Sequence, residues 1–398
     1  MASHDIRRAY LDYNATAPMR PEARAAVLAA MDRLGNPSSI HAEGRAARAI
    51  VEDARRAVAE LAGVEPRCVV FTSGGTEAAN LALTPAIGAT GLEQPLARLI
   101  VGAGEHVCVL HGHRFAAERT AIAPLSADGR IDLDALAAAL ASSDGRPAML
   151  ALQGANNETG VIQPVAEAAA LVHAAGGLVV CDAVQLTGRA DVAVASLGAD
   201  FLILSAHKFG GPKGAGALVA ARPELAVGAP LLRGGGQERG ARAGTENVAA
   251  IAGFGAAARA AGAAQRCESA RLAALRDSLA ERVRERAPDA VIFGAAAPRL
   301  PNTLCFSVPG VATATLVIAL DLAGVAVSGG SACSSGKVAR SHVLDAMGVE
   351  PDLAGGAIRL SLGWASEEAD VARFGEAFGR TMASLRRRRG RGEASPDI

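Results

Sequence analysis

The apolar positions of this chain fall into two regimes. Between residues 68 and 204, short unbroken apolar runs recur at 68–72, 99–102, 148–152, 178–181 and 201–204. Runs of this length without polar alternation are the pattern of strands buried on both faces. Ala-rich stretches with helical spacing lie between them, at 76–86, 133–141 and 164–175. Strand–helix alternation predicts an α/β fold with a largely parallel sheet covered on both sides by helices. Ahead of it, residues up to about 18 read as extended. A helix then opens at Pro21, a residue suited to the first helical turn, and ends near Gly35. A second helix spans 43–61 and is closed by Gly63. After about residue 247 the pattern changes. An Ala/Arg/Glu-rich stretch to 286 reads as one long helix, and the remainder mixes strands at 303–308 and 358–362 with helices at 313–323 and 367–386. This predicts a smaller α+β domain, joined by the extended N-terminus. The expected division is 19–260 for the large domain and 1–18 plus 261–398 for the small one. The tail 386–398, RRRRGRGEASPDI, reads as a frayed helix end and a disordered terminus; nucleic-acid binding by its arginines is the alternative.

Composition narrows the partners. Lys+Arg and Asp+Glu both count 40, so the net charge of zero gives no general attraction to nucleic acid or to an anionic membrane. Aromatic residues are 3%, too few for a base-stacking platform. The apolar stretch 316–327 is broken by Asp321 and Gly324 and is too short to span a bilayer. The first 18 residues lack the apolar centre of a signal peptide, so a cytoplasmic protein is expected. The six cysteines show no CxxC spacing, which argues against a disulfide framework or a zinc site. The His111–His113 pair has no companion ligands in the pattern, and no metal is expected. Most cysteines lie in apolar runs and read as small buried hydrophobes.

Four segments carry candidate chemistry. In FLILSAHKFGGPKG, Lys208 follows the end of an apolar strand. Ligands of parallel sheets bind at the carboxyl ends of strands, and burial there disfavours a charged amine and leaves it nucleophilic toward a carbonyl cofactor. An ordinary surface lysine is the alternative. Only three lysines exist, Lys208, Lys213 and Lys337, so Schiff-base chemistry has three candidates. In LVVCDAVQ, Asp182 also ends a strand. It is suited to pair with a pyridinium nitrogen, or equally to serve as a helix cap or structural ion pair. In VVFTSGGTEAAN, Ser73–Thr76 lead from a strand into a helix, where backbone N–H groups can cradle a phosphate; the ending of a P-loop is missing, and a plain cap is as good a reading. Ser205, His207 and Thr245 are further candidate phosphate contacts. In AVSGGSACSSGK, Cys333 lies among Gly and Ser with Lys337 nearby, so an exposed loop is expected in which the thiol ionises readily; a chance loop cysteine is the alternative. Arg359 in IRLSLG is a candidate carboxylate anchor or else a surface ion pair, and His106 in GEHV can stack on a flat ring or move a proton, or else is a solvated strand-end histidine.

Taken in order, YLDYNATAP, GNPSSIHAEGRAAR, FTSGGTEAAN, NNETGVIQP, CDAVQ, SAHKFGGPKG, GGGQERGARAGTEN, SGGSACSSG and IRLSLG resemble the motifs of the cysteine desulfurases. These are class-V aminotransferase-like enzymes of the fold-type I pyridoxal-phosphate group. The resemblance covers Tyr10 to about Gly363, and the cysteine segment is similar to that of the NifS/IscS-like longer-loop subgroup. It implies a mostly parallel seven-stranded sheet in the large domain and pyridoxal 5′-phosphate as cofactor. It also implies roles. Lys208 would hold the cofactor covalently and act as general base, Asp182 would pair with the ring nitrogen, and His106 would stack on the ring. Asn157 and Gln185 would bond the ring hydroxyl. Gly75, Thr76, Ser205 and His207 would bind the phosphate, and Thr245 would reach that of the neighbouring subunit in a homodimer. Asn36 and Arg359 would hold the carboxylate of L-cysteine, and Cys333 would take the sulfur as a persulfide and pass it to an acceptor protein such as an iron–sulfur scaffold. Selenocysteine lyase and transaminase chemistry on the same scaffold are the alternatives; a non-catalytic phosphate-binding module would leave Lys208, Asp182 and Arg359 unexplained.

Overall fold

The computed structural model describes residues 8–87, 95–143, 145–225, 227–330 and 340–390, with side chains through 387. The expected apolar runs pair into one seven-stranded sheet. Its order is Val69–Thr72, Gly216–Ala220, Phe201–Ser205, Leu178–Asp182, Ala148–Gln153, Arg98–Gly102 and Thr120–Ala123. Gly216–Ala220 runs antiparallel to both neighbours; all other pairings are parallel. Alternate residues of each central strand enter opposite cores. Leu150, Leu152, Val179, Cys181, Leu202 and Leu204 belong to one, and Met149, Ala151, Leu178, Val180, Phe201 and Ile203 to the other. This two-sided burial is why these strands carry no polar alternation.

Two strands of the sheet go beyond the five read from the sequence. Thr120–Ala123 is an edge strand with Ile122 exposed, and Gly216–Ala220 is short and rich in small residues. Neither carries the continuous apolar signal of a central strand. The helix expected over 76–86 spans Gly75–Ala82. Pro85 ends it, because the residue before a proline is pushed out of the helical region.

The helices Pro21–Met31 and Ala42–Ala62 each pack on Val248–Arg286 beside the first core. At their crossing a Cβ on Gly255 would lie 2.5 Å from Ala54 Cα, so only glycine allows that approach. The 39-residue helix Val248–Arg286 is about 58 Å long. It starts at an Asn247 cap that accepts the Ala250 N–H at 3.1 Å. Its first half, with Phe254, Ala257 and Ala261, is buried against the large sheet, and Leu272, Leu275, Leu279 and Val283 are buried in a different core.

That second core sits on a four-stranded antiparallel sheet, ordered Ser328–Gly329, Ile358–Ser361, Thr303–Ser307 and Val291–Ile292. The N-terminal segment joins it, with Ala9–Tyr10 pairing in parallel with Val325–Ala326 and Leu11 fully buried. The helix Glu368–Gly390 packs there through Phe374 and Phe378. It carries the arginines 386–389 within the helix rather than beyond it, and the tail 391–398 lies outside the described residues. Among the described residues no helix is long and apolar enough to cross a membrane.

Candidate active site

A pocket of about 600 Å³ opens at the carboxyl ends of the large-sheet strands and is bounded on its far side by the small sheet. Strands Leu178–Asp182 and Phe201–Ser205 are adjacent and parallel, so Asp182 and the short turn Ala206–Lys208 reach the same edge. Lys208 Nζ donates to the carbonyls of Asn14 (2.7 Å) and Ala15 (3.0 Å). Those acceptors come from the N-terminal segment, which Asn14 ties into both halves of the molecule. Its Nδ2 donates to Asn157 O and Thr303 Oγ1, and its Oδ1 accepts from Asn302 Nδ2.

Asp182 accepts the Val184 N–H at 2.9 Å. Burial pushes its carboxyl up to about 6, against the pull of that N–H and of Lys208, so it remains largely ionised at neutral pH. Next to it, Glu105 is buried with Oε1 accepting the Gln153 N–H at 2.6 Å and Oε2 without a partner. Burial and the Asp182 charge hold its carboxyl well above the usual carboxylate range.

His106 follows. The backbone N–H of Cys108 donates to its Nδ1 at 3.2 Å, and Cys108 Sγ lies 3.0 Å from the same atom. Nδ1 is therefore an acceptor, and the ring proton resides on Nε2. Burial, Lys208 and His342 depress the imidazole to about 4, so the ring is neutral at pH 7. A neutral ring with its proton fixed on Nε2 suits flat stacking or hydrogen-bond donation.

On the large-sheet side, Ser73–Thr76 form the entry to the helix Gly75–Ala82. Glu77 turns back to accept the Ser73 N–H and is itself paired with Arg242. The first-turn N–H groups of Gly75 and Thr76 have no intrahelical acceptor. Gly216 lets the neighbouring strand pass close to this turn, since a Cβ there would lie 2.5 Å from Gly74 C. Ser205, His207 and Lys213 complete this wall. His207 Nδ1 lies 3.2 Å from Thr16 Oγ1, and burial with Lys208 and Lys213 depresses its ring to about 4.

Opposite stands Arg359, fully buried on the strand Ile358–Ser361. Nη2 pairs with Asp12 at 2.8 Å and Nη1 donates to Asn157 O at 3.0 Å, while the buried Nε has no partner. Arg359 lines the pocket, and a guanidinium on a pocket wall suits an anionic oxygen.

Comparisons with known proteins identify the family and the fold. The family described as "Aminotransferase class-V" matches residues 9–374. The chain is 41% identical over 390 residues to a cysteine desulfurase of Cereibacter sphaeroides, covering 96% of this chain and 97% of that one. It is 40% identical over 385 residues to an IscS-like cysteine desulfurase of Mycobacterium tuberculosis, covering 95% and 97%. The chain belongs to the class-V aminotransferase family, among its cysteine desulfurases. A solved NifS-like protein of Rickettsia africae superposes with a TM-score of 0.85 at 31% identity, covering 94% of this chain and 99% of that one. The fold is thus that of the fold-type I pyridoxal-phosphate enzymes.

Within this desulfurase-family pocket the structure gathers Gly75, Thr76, His106, Asn157, Asp182, Gln185, Ser205, His207, Lys208 and Arg359. It does not bring in Asn36 or Thr245. Asn36 is exposed, with Oδ1 accepting the Ser38 N–H, and Thr245 is exposed in the segment after Gly244. Cys333 lies outside the described residues. Of the other cysteines, Cys68, Cys181 and Cys305 are buried as expected, but Cys267 is exposed on the long helix. Cys108 lines the pocket, where burial pushes its thiol well above the usual thiol range and leaves it inert as a nucleophile. Among the described residues no group of three or more His, Cys, Asp or Glu could hold a metal ion.

Sequence reasoning passed over Asn14, Gln153 and the buried Glu105 and Glu158, took Cys108 only as one of the six cysteines, and took Lys213 only as one of three Schiff-base candidates. Asn14 and Glu158 stand inside the quoted segments YLDYNATAP and NNETG, so a signal was present without a chemical reason attached. Glu158 accepts from Ser341 Oγ at 2.5 Å, and burial raises its carboxyl to about 7.

Proposed function

We propose that this protein uses pyridoxal 5′-phosphate to convert L-cysteine to L-alanine, with the sulfur taken up by Cys333. The observation that carries the reading is the convergence of Lys208, Asp182 and Arg359 on one pocket. The donor set fits the cofactor. First-turn N–H groups with Ser205 and His207 suit a phosphate, an ionised Asp182 suits a ring nitrogen, and Gln185 and Asn157 suit a ring oxygen. Pyridoxal phosphate, when bound, supplies the carbonyl that captures the substrate amine and the ring that accepts electron density from Cα.

The chain's own residues account for the rest. The Arg359 guanidinium receives the substrate carboxylate, its plane already fixed by Asp12 and Asn157 O. Lys208 Nζ takes the Cα proton as general base, a role worth roughly 10²–10⁴-fold. His106, neutral and holding its proton on Nε2, packs over the ring without adding charge. The Cys333 thiolate then bonds to the substrate sulfur as the Cβ–Sγ bond breaks. Cβ gains a proton, a proton is returned to Cα, alanine leaves, and Cys333 retains a persulfide. L-cysteine plus one thiol gives alanine plus one persulfide, so no outside oxidant is needed.

The same reading divides the chain into a large cofactor-holding domain (19–260) and a small one (1–18 with 261–398). The separate core shared by Leu11 and Leu272–Val283 supports that division. It assigns Thr245 to the phosphate of a second subunit in a homodimer, for which its exposed position leaves room. It sends the persulfide sulfur to an acceptor protein, an iron–sulfur scaffold, in the cytoplasm. Purified protein given pyridoxal phosphate and L-cysteine should release alanine and, with thiol reductant, sulfide in equal amounts; a keto-acid product would identify a transaminase instead. Arg359→Lys should raise KM for L-cysteine by about tenfold or more, because an ammonium cannot hold Asp12, Asn157 O and a carboxylate together. An unchanged KM would remove Arg359 from the carboxylate site.

A further inference from the structure

Arg189 is a buried cation whose acceptors are all carbonyl oxygens. Nη1 donates to Gln185 Oε1 at 2.6 Å and to Gln185 O at 2.9 Å, and Nη2 donates to Lys208 O at 3.1 Å. Its own carbonyl accepts Ser269 Oγ from the long helix at 2.8 Å. The guanidinium has donors only, so the Gln185 amide atom that faces it must be oxygen. On the other side, Gln185 Nε2 donates to the carbonyl of Asn14 at 3.1 Å, an acceptor that requires an N–H. Both ends of the amide are therefore fixed, and the amide flip that usually leaves a glutamine ambiguous is excluded.

We infer that Arg189 is a positioning residue that turns Gln185 into a one-way hydrogen-bond donor, so that the ligand oxygen beside it is held as an acceptor in its anionic form. This rests on the reading that puts the cofactor's ring hydroxyl against Gln185. The side chain that faces the pocket is Gln185, and Arg189 acts behind it. Its positive charge polarises the amide toward donation, as charge-assisted hydrogen bonds do. By gripping Lys208 O as well, the same guanidinium fixes the turn carrying the lysine relative to the amide, so the ring oxygen and the reactive amine are referenced to one group.

The test compares two ligands on the apo protein by absorbance or fluorescence titration: pyridoxal 5′-phosphate and its 3-deoxy analogue, which lacks the ring hydroxyl. Wild type, Arg189→Met, Arg189→Lys, Gln185→Leu and the Arg189→Met/Gln185→Leu double variant are measured. Arg189→Met should bind pyridoxal phosphate about tenfold more weakly, the loss of one charge-assisted contact, and the 3-deoxy analogue as wild type does. Arg189→Lys should show the same selectivity with a smaller loss. The double variant should be no worse than Gln185→Leu alone. Equal weakening of both ligands, or losses that add in the double variant, would assign Arg189 a merely structural role and overturn the inference. Should Arg189→Met fail to fold in thermal unfolding, Arg189→Lys decides by the same selectivity. Wild type that takes up neither ligand would instead overturn the cofactor reading, and this inference with it.

Discussion

Lys208→Ala protein is expected to fold and to lose at least two to four orders of magnitude in alanine formation from L-cysteine, the span usual for removing a general base (~10²–10⁴). The expectation follows from placement. Lys208 lies just beyond the strand Phe201–Ser205, with Nζ on the carbonyls of Asn14 and Ala15 and Asp182 on the neighbouring strand. On the proposed function, removing the amine deletes both the covalent tether for the cofactor and the proton acceptor. Borohydride reduction in the presence of pyridoxal phosphate should accordingly label wild type and leave the variant unlabelled. Lys213 also lines the pocket and is the informative control. Lys213→Ala should still be labelled, since that lysine stands on the phosphate-side wall with His207 and no part of the tether is assigned to it. Labelling of Lys208→Ala, or activity within tenfold of wild type, would contradict the assignment.

Glu238→Ala should cost about 3–5 kcal/mol of stability in urea unfolding, the range for removing one partner of a buried ion pair. Glu238 and Arg55 are both nearly inaccessible and meet through two parallel bonds of 2.7 and 2.8 Å. Glu238 also accepts the Phe71 N–H at 2.9 Å, and the Arg55 guanidinium lies over the Phe71 ring at 4.9 Å. Without the carboxylate, Arg55 is left buried and charged, held only by Val69 O and the half-exposed Glu52. The backbone adds a second reason. Glu238 and Arg239 have φ of 47° and 56°, a left-handed conformation that non-glycine residues adopt at a cost and that the buried pair keeps in place. Once released, the turn that leads to Thr245 would relax as well. A loss under about 1 kcal/mol would mean that the pair is not what holds this turn.

The central strands were legible because burial on both faces leaves a continuous apolar run, and Lys208 and Asp182 because each follows such a run directly. The edge strand Thr120–Ala123 was not, since half of it faces solvent. Nor was Gly216–Ala220, whose glycine and alanines carry little hydrophobic signal. Helix Gly75–Ala82 was drawn too long across Pro85, which local chemistry already forbade. At the site, residues with a reactive group at a strand end could be read individually. Residues that act by joining distant segments could not. Asn14 meets Asn157, Thr303 and Asn302, and Arg189 meets Gln185 and Lys208, and only the fold makes those meetings visible. Within the segment GGGQERGARAGTEN, weak as a single motif, Glu238 is a buried carboxylate on a strained turn whose partner is Arg55, 183 positions away.

The measurement that bears most directly on the central claim is alanine and sulfide production from L-cysteine by wild type beside Cys333→Ala, with cofactor absorbance recorded on both. The account predicts that the two proteins bind pyridoxal phosphate alike and that alanine and sulfide form only with Cys333 present. Equal alanine formation by Cys333→Ala would contradict it, for the sulfur would then leave the substrate without passing to this thiol.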